Sequence, residues 1–150
     1  MAEDPATGIE GLALKLLATR EHSRRELGRK LRARGFASNA VDAVLARLTA
    51  SGALDESRLA EIYVAERMRK GFGPLRIRAE LSEKGLPNAL IDPHLDGQAG
   101  EWPKLLAAAH DRRFGSSVPS DRADYTRRGR FLEQRGFPAE MIRRYLRWND

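Results

Sequence analysis

The chain has 150 residues, 41% apolar and 32% charged, enough for a core in one compact domain or a short array of small units. With no cysteine, no apolar run of bilayer length and an acidic, non-apolar start, it reads as a cytoplasmic protein, excluding a disulfide scaffold, a thiolate metal site, a membrane span and a signal peptide. The net charge of +6 favours a polyanionic partner, or records only an arginine-rich codon bias, and it concentrates in residues 98–150, where 11 basic side chains face 7 acidic ones.

Taken in chain order, residues 1–8 read as a disordered start. Apolar periodicity over 12–18 predicts a first helix. Ser23 and Glu26 form the S-x-x-E capping box of a second helix, with Leu27 and Leu31 on one face and Gly35 as its left-handed stop. A third helix starts after Ser38-Asn39 and buries Val41, Val44, Leu45 and Leu48. The pattern restarts at 59–68. Gly71-Phe-Gly-Pro74 reads as a turn that places Pro74 in a first helical turn, followed by Ile77, Leu81 and the stop Gly85. The helix opened by Pro87 contains Pro93, which costs about 3 kcal/mol inside a helix, so it is expected to be short, kinked or broken there. Residues 97–100 break the chain. A last helical triplet begins at 105–114 and passes through a loop at 115–121. Asp124 is its expected cap and Gly136 its stop. Pro138 then opens a helix that buries Met141, Ile142, Tyr145 and Leu146. No segment alternates long enough for a strand.

The three triplets repeat. Leu31, Leu81 and Leu132 each stand four residues before Gly35, Gly85 and Gly136, and Phe36, Leu86 and Phe137 follow those glycines, at spacings of 50 and 51 residues. Val41, Ile91 and Ile142 align, as do Leu45, Leu95 and Leu146. The expected architecture is all-α, three tandem three-helix repeats at 9–52, 53–97 and 98–150, in an elongated, curved molecule.

The sequence offers no catalytic constellation. His22, His94 and His110 lack partners at metal-ligand spacing, His22 and Ser23 diverge at a helix start, and His94 aligns with the core positions Val44 and Tyr145. Gly71-Phe-Gly-Pro74 lacks the Gly-Lys-Ser/Thr of a phosphate loop. The expectation is a protein that binds, with no enzymatic activity, cofactor or metal. Arg25, Arg29 and Arg32 make one stripe. Lys70, Arg76 and Arg78 flank the Gly71 turn, with Arg67 and Arg69 beside them. Arg127, Arg128 and Arg135, with Arg130, lie on the second helix of the last triplet, and Arg143 and Arg144, with Arg147, on its third. Stacked helical units can join such clusters into one track, while single arginines also serve as solubilising surface. Aromatic residues, 7% of the chain, fall mostly at core positions and give little support to a base-stacking platform.

Three stretches resemble the RecX family of bacterial proteins that modulate the RecA recombinase: Ala13-Leu-Lys-Leu-Leu17 with 20–31, residues 52–85, and Phe131-Leu-Glu-Gln-Arg-Gly-Phe137. The middle one is the most specific, through its Leu-Asp-Glu turn, its Arg-x-x-Lys-Gly-x-Gly-Pro loop and its Leu-x-x-Lys-Gly ending. Leu59 stands where the family often has Phe, and Asp92-Pro93 interrupts a helix that is usually longer. The resemblance implies three tandem three-helix repeats and, as partner, the RecA filament on single-stranded DNA. Family members lie in the filament groove and restrain ATP hydrolysis, strand exchange and co-protease activity. A monomer with auxiliary, non-specific contact to single-stranded DNA is expected. The alternative from the residues alone is a helix-turn-helix regulator on duplex DNA, which short helices joined by Gly turns permit.

Overall fold

The computed structural model describes residues 5–147, which form helices α1 (Pro5–Thr19), α2 (Arg24–Ala33), α3 (Ser38–Ser51), α4 (Glu56–Arg69), α5 (Pro74–Glu83), α6 (Asn88–Asp96), α7 (Trp102–Phe114), α8 (Arg122–Arg135) and α9 (Ala139–Leu146), with no strand among the described residues. Residues 5–8, expected to be disordered, belong to α1, and 1–4 lie outside the described residues.

Local chemistry sets most helix ends. The Ser23 side chain accepts from the Glu26 N–H at 3.0 Å while Glu26 accepts from the Ser23 N–H at 3.1 Å, the reciprocal box read from the sequence. Pro74 is the first residue of α5. The cap of α8 is Asp121, whose carboxylate accepts from the Asp124 N–H at 2.7 Å. Asp124 itself sits in the first turn and accepts from the Ser120 N–H at 3.0 Å, which corrects the expectation that Asp124 is the cap. Pro93 lies inside the nine-residue α6 without breaking it: it brings no N–H to the Ala89 carbonyl, but the helix runs three residues further, and the Gly97 N–H reaches the Pro93 carbonyl at 3.0 Å.

Packing is chiefly within each triplet. Ile9, Ala13, Leu27, Leu31, Val41, Val44, Leu45, Leu48 and Leu54 close the first core with side chains of α1–α3 and the segment just after it. The second core, built on Leu59, Val64, Ile77, Leu81, Ile91 and Leu95, also takes Trp102 from α7. The third holds Leu106, Leu132, Phe137, Ile142 and Leu146. Met141 of α9 packs against both the second and third cores, so the last two triplets share an apolar seam that the first does not enter.

The second helices of the triplets meet end to end. The C-terminus of α8 faces the N-terminus of α5: the Gly73 N–H donates to the Arg135 carbonyl at 2.8 Å and the Leu75 N–H to the Gly136 carbonyl at 2.9 Å. The C-terminus of α5 faces the N-terminus of α2, where the Ser23 hydroxyl donates to the Lys84 carbonyl at 2.6 Å. Each contact joins orphan carbonyls of one helix to donors at the start of the next and brings the negative end of one helix dipole to the positive end of another.

Candidate functional site

The turn between α4 and α5 puts Phe72 at the seam of the second and third triplets. Gly71, at φ 87°, reverses the chain and Gly73 starts the next helix. Three guanidinium groups gather over the half-buried Phe72 ring: Arg67 at 3.9 Å from its centroid, Arg76 at 4.3 Å and Arg135 at 4.7 Å. Arg67 grips Glu80 with two nitrogens, at 3.0 and 2.8 Å, and Arg76 donates to the Gln134 carbonyl at 3.1 Å. Arg135 has no carboxylate partner among the described residues. Burial, followed by the charges of Arg76, Arg112 and Arg67, pulls its guanidinium below the ordinary value. One carboxylate thus faces three stacked cations, and the local excess of positive charge attracts an anion.

Beside this stack runs a groove of about 680 Å³ between α7 and α8, lined by Arg113, Phe114, Arg122, Ala123, Thr126, Arg127, Arg130, Phe131 and Gln134. A smaller cavity of about 200 Å³ continues it to the α4–α5 turn, with Arg69, Arg112, Arg113 and Arg135 around a floor of Met68, Leu105, Ala108, Ala109 and Phe131. No acidic side chain lines either space. Arg112, Arg113 and Arg122 are absent from the arginines singled out in the sequence. Their signal is positional: Arg112-Arg113 closes α7 and Arg122 opens α8, so a helical hairpin over 115–121 brings them together.

The other arginines divide by their partners. Arg128 is corrected: it is 5% exposed, 3.0 Å from Asp124, and donates to the Ser117 carbonyl at 2.6 Å, so it ties the 115–121 loop to α8 and offers no surface. The stripe on α2 is split, because Arg25 donates to the Glu83 carbonyl at 3.1 Å and Arg32 pairs with Asp42, leaving Arg29 unpaired among the described residues. Arg78 pairs with Asp92 at 2.9 Å, Lys70 with Glu66 at 3.5 Å, Arg127 with Asp124 at 2.7 Å and Arg144 with Glu140 at 2.9 Å, while Arg143 is exposed and unpaired among the described residues. The exposed Lys70–Glu66 and Arg144–Glu140 pairs exchange cheaply for a partner's anions, whereas Arg78 and Arg127 hold half-buried carboxylates.

The histidines are packed or half-packed. Burial holds His22 below its ordinary value, with Nδ1 3.0 Å from the Arg20 carbonyl and Nε2 2.9 Å from Lys30 Nζ, so Nε2 is the acceptor. His110 sits between Asp111 and Arg128, and half-buried His94 meets the Ser57 hydroxyl at 3.2 Å. Burial, then its bond to Asp111, pushes the Tyr145 hydroxyl up to about 12. Among the described residues no group of three acidic, His or Cys side chains is placed to hold a metal ion, and no helix is long and apolar enough to cross a membrane.

Residues 11–48, 55–95 and 104–146 match, in that order, the first, second and third three-helix domains of RecX. A regulatory protein RecX of Pseudomonas fluorescens is 44% identical over 147 residues, 98% of this chain and 95% of the relative. One of Halorhodospira halophila is 43% identical over 135 residues, covering 90% and 84%. The crystal structure of RecX from Lactobacillus salivarius superposes with a TM-score of 0.78 over 96% of each chain at 22% identity, which bears on the fold alone.

Proposed function

The chain belongs to the RecX family, and on that premise we propose that it regulates the RecA recombinase without catalysis of its own, by lying along the filament that RecA forms on single-stranded DNA. The observation that carries this reading is the ordered match of all three domains, with relatives named as regulatory proteins over nearly the whole chain. The arginine-lined groove supports it, because a surface with no acid of its own suits phosphates or acidic side chains. A rod of repeats that touches neighbouring subunits favours whichever filament state fits it better, and differential affinity is sufficient to restrain ATP hydrolysis, strand exchange and co-protease activity. In this reading the protein is a cytoplasmic monomer, single-stranded DNA is an auxiliary, non-specific contact, and Arg29, Arg113, Arg122, Arg130, Arg143 and Arg144 form the accessible cationic set.

DNA-dependent ATP hydrolysis by RecA, followed while this protein is titrated in, tests the proposal. The expected result is inhibition at well below one molecule per RecA subunit, relieved by the double reversal Arg122→Glu with Arg130→Glu. Undiminished hydrolysis on intact filaments would overturn it. Sequence-dependent footprints on duplex DNA would then favour the helix-turn-helix alternative.

A further inference from the structure

The repeat geometry contains a docking position used twice inside the chain and unoccupied a third time among the described residues. At Gly85 and Gly136, the left-handed stops of α5 and α8 with φ of 101° and 103°, the start of another helix is seated. The seating is the same in kind. An arginine from the incoming first turn lies over the glycine: a Cβ built on Gly85 would come within 2.9–3.1 Å of Arg25, and one on Gly136 would come closer still to Arg76. That arginine donates to the carbonyl two residues before the glycine, Arg25 to Glu83 and Arg76 to Gln134, both at 3.1 Å. A second donor at the incoming cap reaches the carbonyl one residue before it: the Ser23 hydroxyl at Lys84 and the Gly73 N–H at Arg135.

Gly35 ends α2 with the same left-handed φ, 93°. Here nothing lies within 4 Å of a built Cβ, and the equivalent carbonyls of Ala33 and Arg34 accept no hydrogen bond among the described residues. The aligned apolar residue after the stop is informative too. Leu86 and Phe137 are buried to 3% and 1% exposure, whereas Phe36 stays half-buried.

We infer that the Gly35 end of α2 is an interaction socket for the N-terminal turn of a helix on the partner protein, a turn with a small cap residue and an arginine among its first three positions. The chemistry of the occupant is set by the two seats already filled: a backbone or hydroxyl donor for the Arg34 carbonyl and a guanidinium for the Ala33 carbonyl, with that arginine lying over the side-chain-free glycine. A second copy of this chain fits poorly. The helix start at the opposite end of the α8–α5–α2 series carries Arg122 but is capped by Asp121, whose carboxylate would face the negative end of α2 where the filled seats present Ser23 or Gly73. On the reading of this chain as a RecA-filament regulator, on which the inference rests, the occupant is a helix start exposed along the filament.

The test replaces Gly35 with Asn, which tolerates the left-handed conformation but fills the space over the stop. Gly52→Asn is the control: Gly52 is also left-handed, at φ 83°, also has nothing within 4 Å of a built Cβ, and lies outside the socket. Both full-length variants are checked by thermal melting and then assayed for binding to RecA filaments on single-stranded DNA. The expected result is filament binding by the unaltered chain and by Gly52→Asn, and at least a tenfold loss for Gly35→Asn at matched stability. Equal binding by the two variants would overturn the socket and leave the filament reading intact. Failure of the unaltered chain to bind filaments would overturn both. A concentration-dependent dimer abolished only by Gly35→Asn would assign the socket to a second copy and overturn the partner named here.

Discussion

The two joints of this molecule solve one problem with different chemistry. At each, the unsatisfied carbonyls of a helix end meet the donors of the next helix start. Between the first and second triplets the link is made by side chains: the Ser23 hydroxyl on the Lys84 carbonyl, Lys84 Nζ 3.2 Å from Glu26, Arg25 on the Glu83 carbonyl and Arg58 on Glu21. Between the second and third, backbone meets backbone at Gly73 and Gly136, the arginine stack covers Phe72, and Trp102 is sunk into the neighbouring core with its ring N–H 3.2 Å from the Leu95 carbonyl. The first joint is adjustable by charge and solvent, and the second is fixed by shape. In a repeat array such nearest-neighbour interfaces carry much of the stability, so the chain is expected to loosen first between its first two triplets.

The largest loss is expected at the rigid joint. Trp102→Ala removes an aromatic ring that is 5% exposed and lies across the seam, and is expected to cost roughly 3–5 kcal/mol in urea unfolding. Gly73→Ala is the sharper test. Its Cβ would lie 2.6–2.7 Å from the backbone of Gly136 and Phe137, which cannot swing aside, so a loss of roughly 2–3 kcal/mol is expected, with hydrogen exchange rising at Gly73 and Leu75. A near-neutral result for Gly73→Ala would show that the second joint yields as readily as the first. Ser23→Ala strikes the adjustable joint, deleting both the helix cap and the bond to Lys84, and is expected to cost about 1–2 kcal/mol.

The smallest expected effect separates the joints by pH. Burial pushes the Glu26 carboxyl up, but the Ser23 N–H and then Lys84 more than offset this, so in the folded chain Glu26 titrates below its usual 4.5. Its contribution is therefore full above about pH 4.5 and is lost as pH falls through the lowered value. Buried His22, next to the joint, acts in the same direction but earlier: favouring the neutral ring stabilises the fold above its usual 6.5, and that share is lost as pH falls through its own lowered value. Hydrogen exchange followed from pH 7 to pH 4 should show α2 losing protection before α8, and an NMR titration should place His22 below 6.5. Loss of protection at α8 first would reverse the assignment of the weak joint.

Much of this molecule was legible in its sequence because it is built from local rules. The glycine stops at Gly35, Gly85 and Gly136 need only a residue that accepts positive φ, the Ser23–Glu26 box spans a single helical turn, and the apolar spacing of Val41, Val44, Leu45 and Leu48 is fixed by helix periodicity. Asp121 and Asp124 show where local rules stop, since two acids three residues apart both suit a helix start and the loop before them selects the cap. The arginines were not legible in this way. Arg128 and Arg127 are adjacent and chemically identical, yet one is buried against Ser117 and His110 and the other is two-thirds exposed. Arg76 is committed to a carbonyl 58 residues away, while Arg122 faces an open groove. The helices, their stops and their threefold repetition follow from the order of residues alone, because they depend on neighbours within one or two turns. Which cations are structural and which are free is set by packing, because a long guanidinium takes its role from whichever carbonyl, carboxylate or ring the distant chain brings within reach.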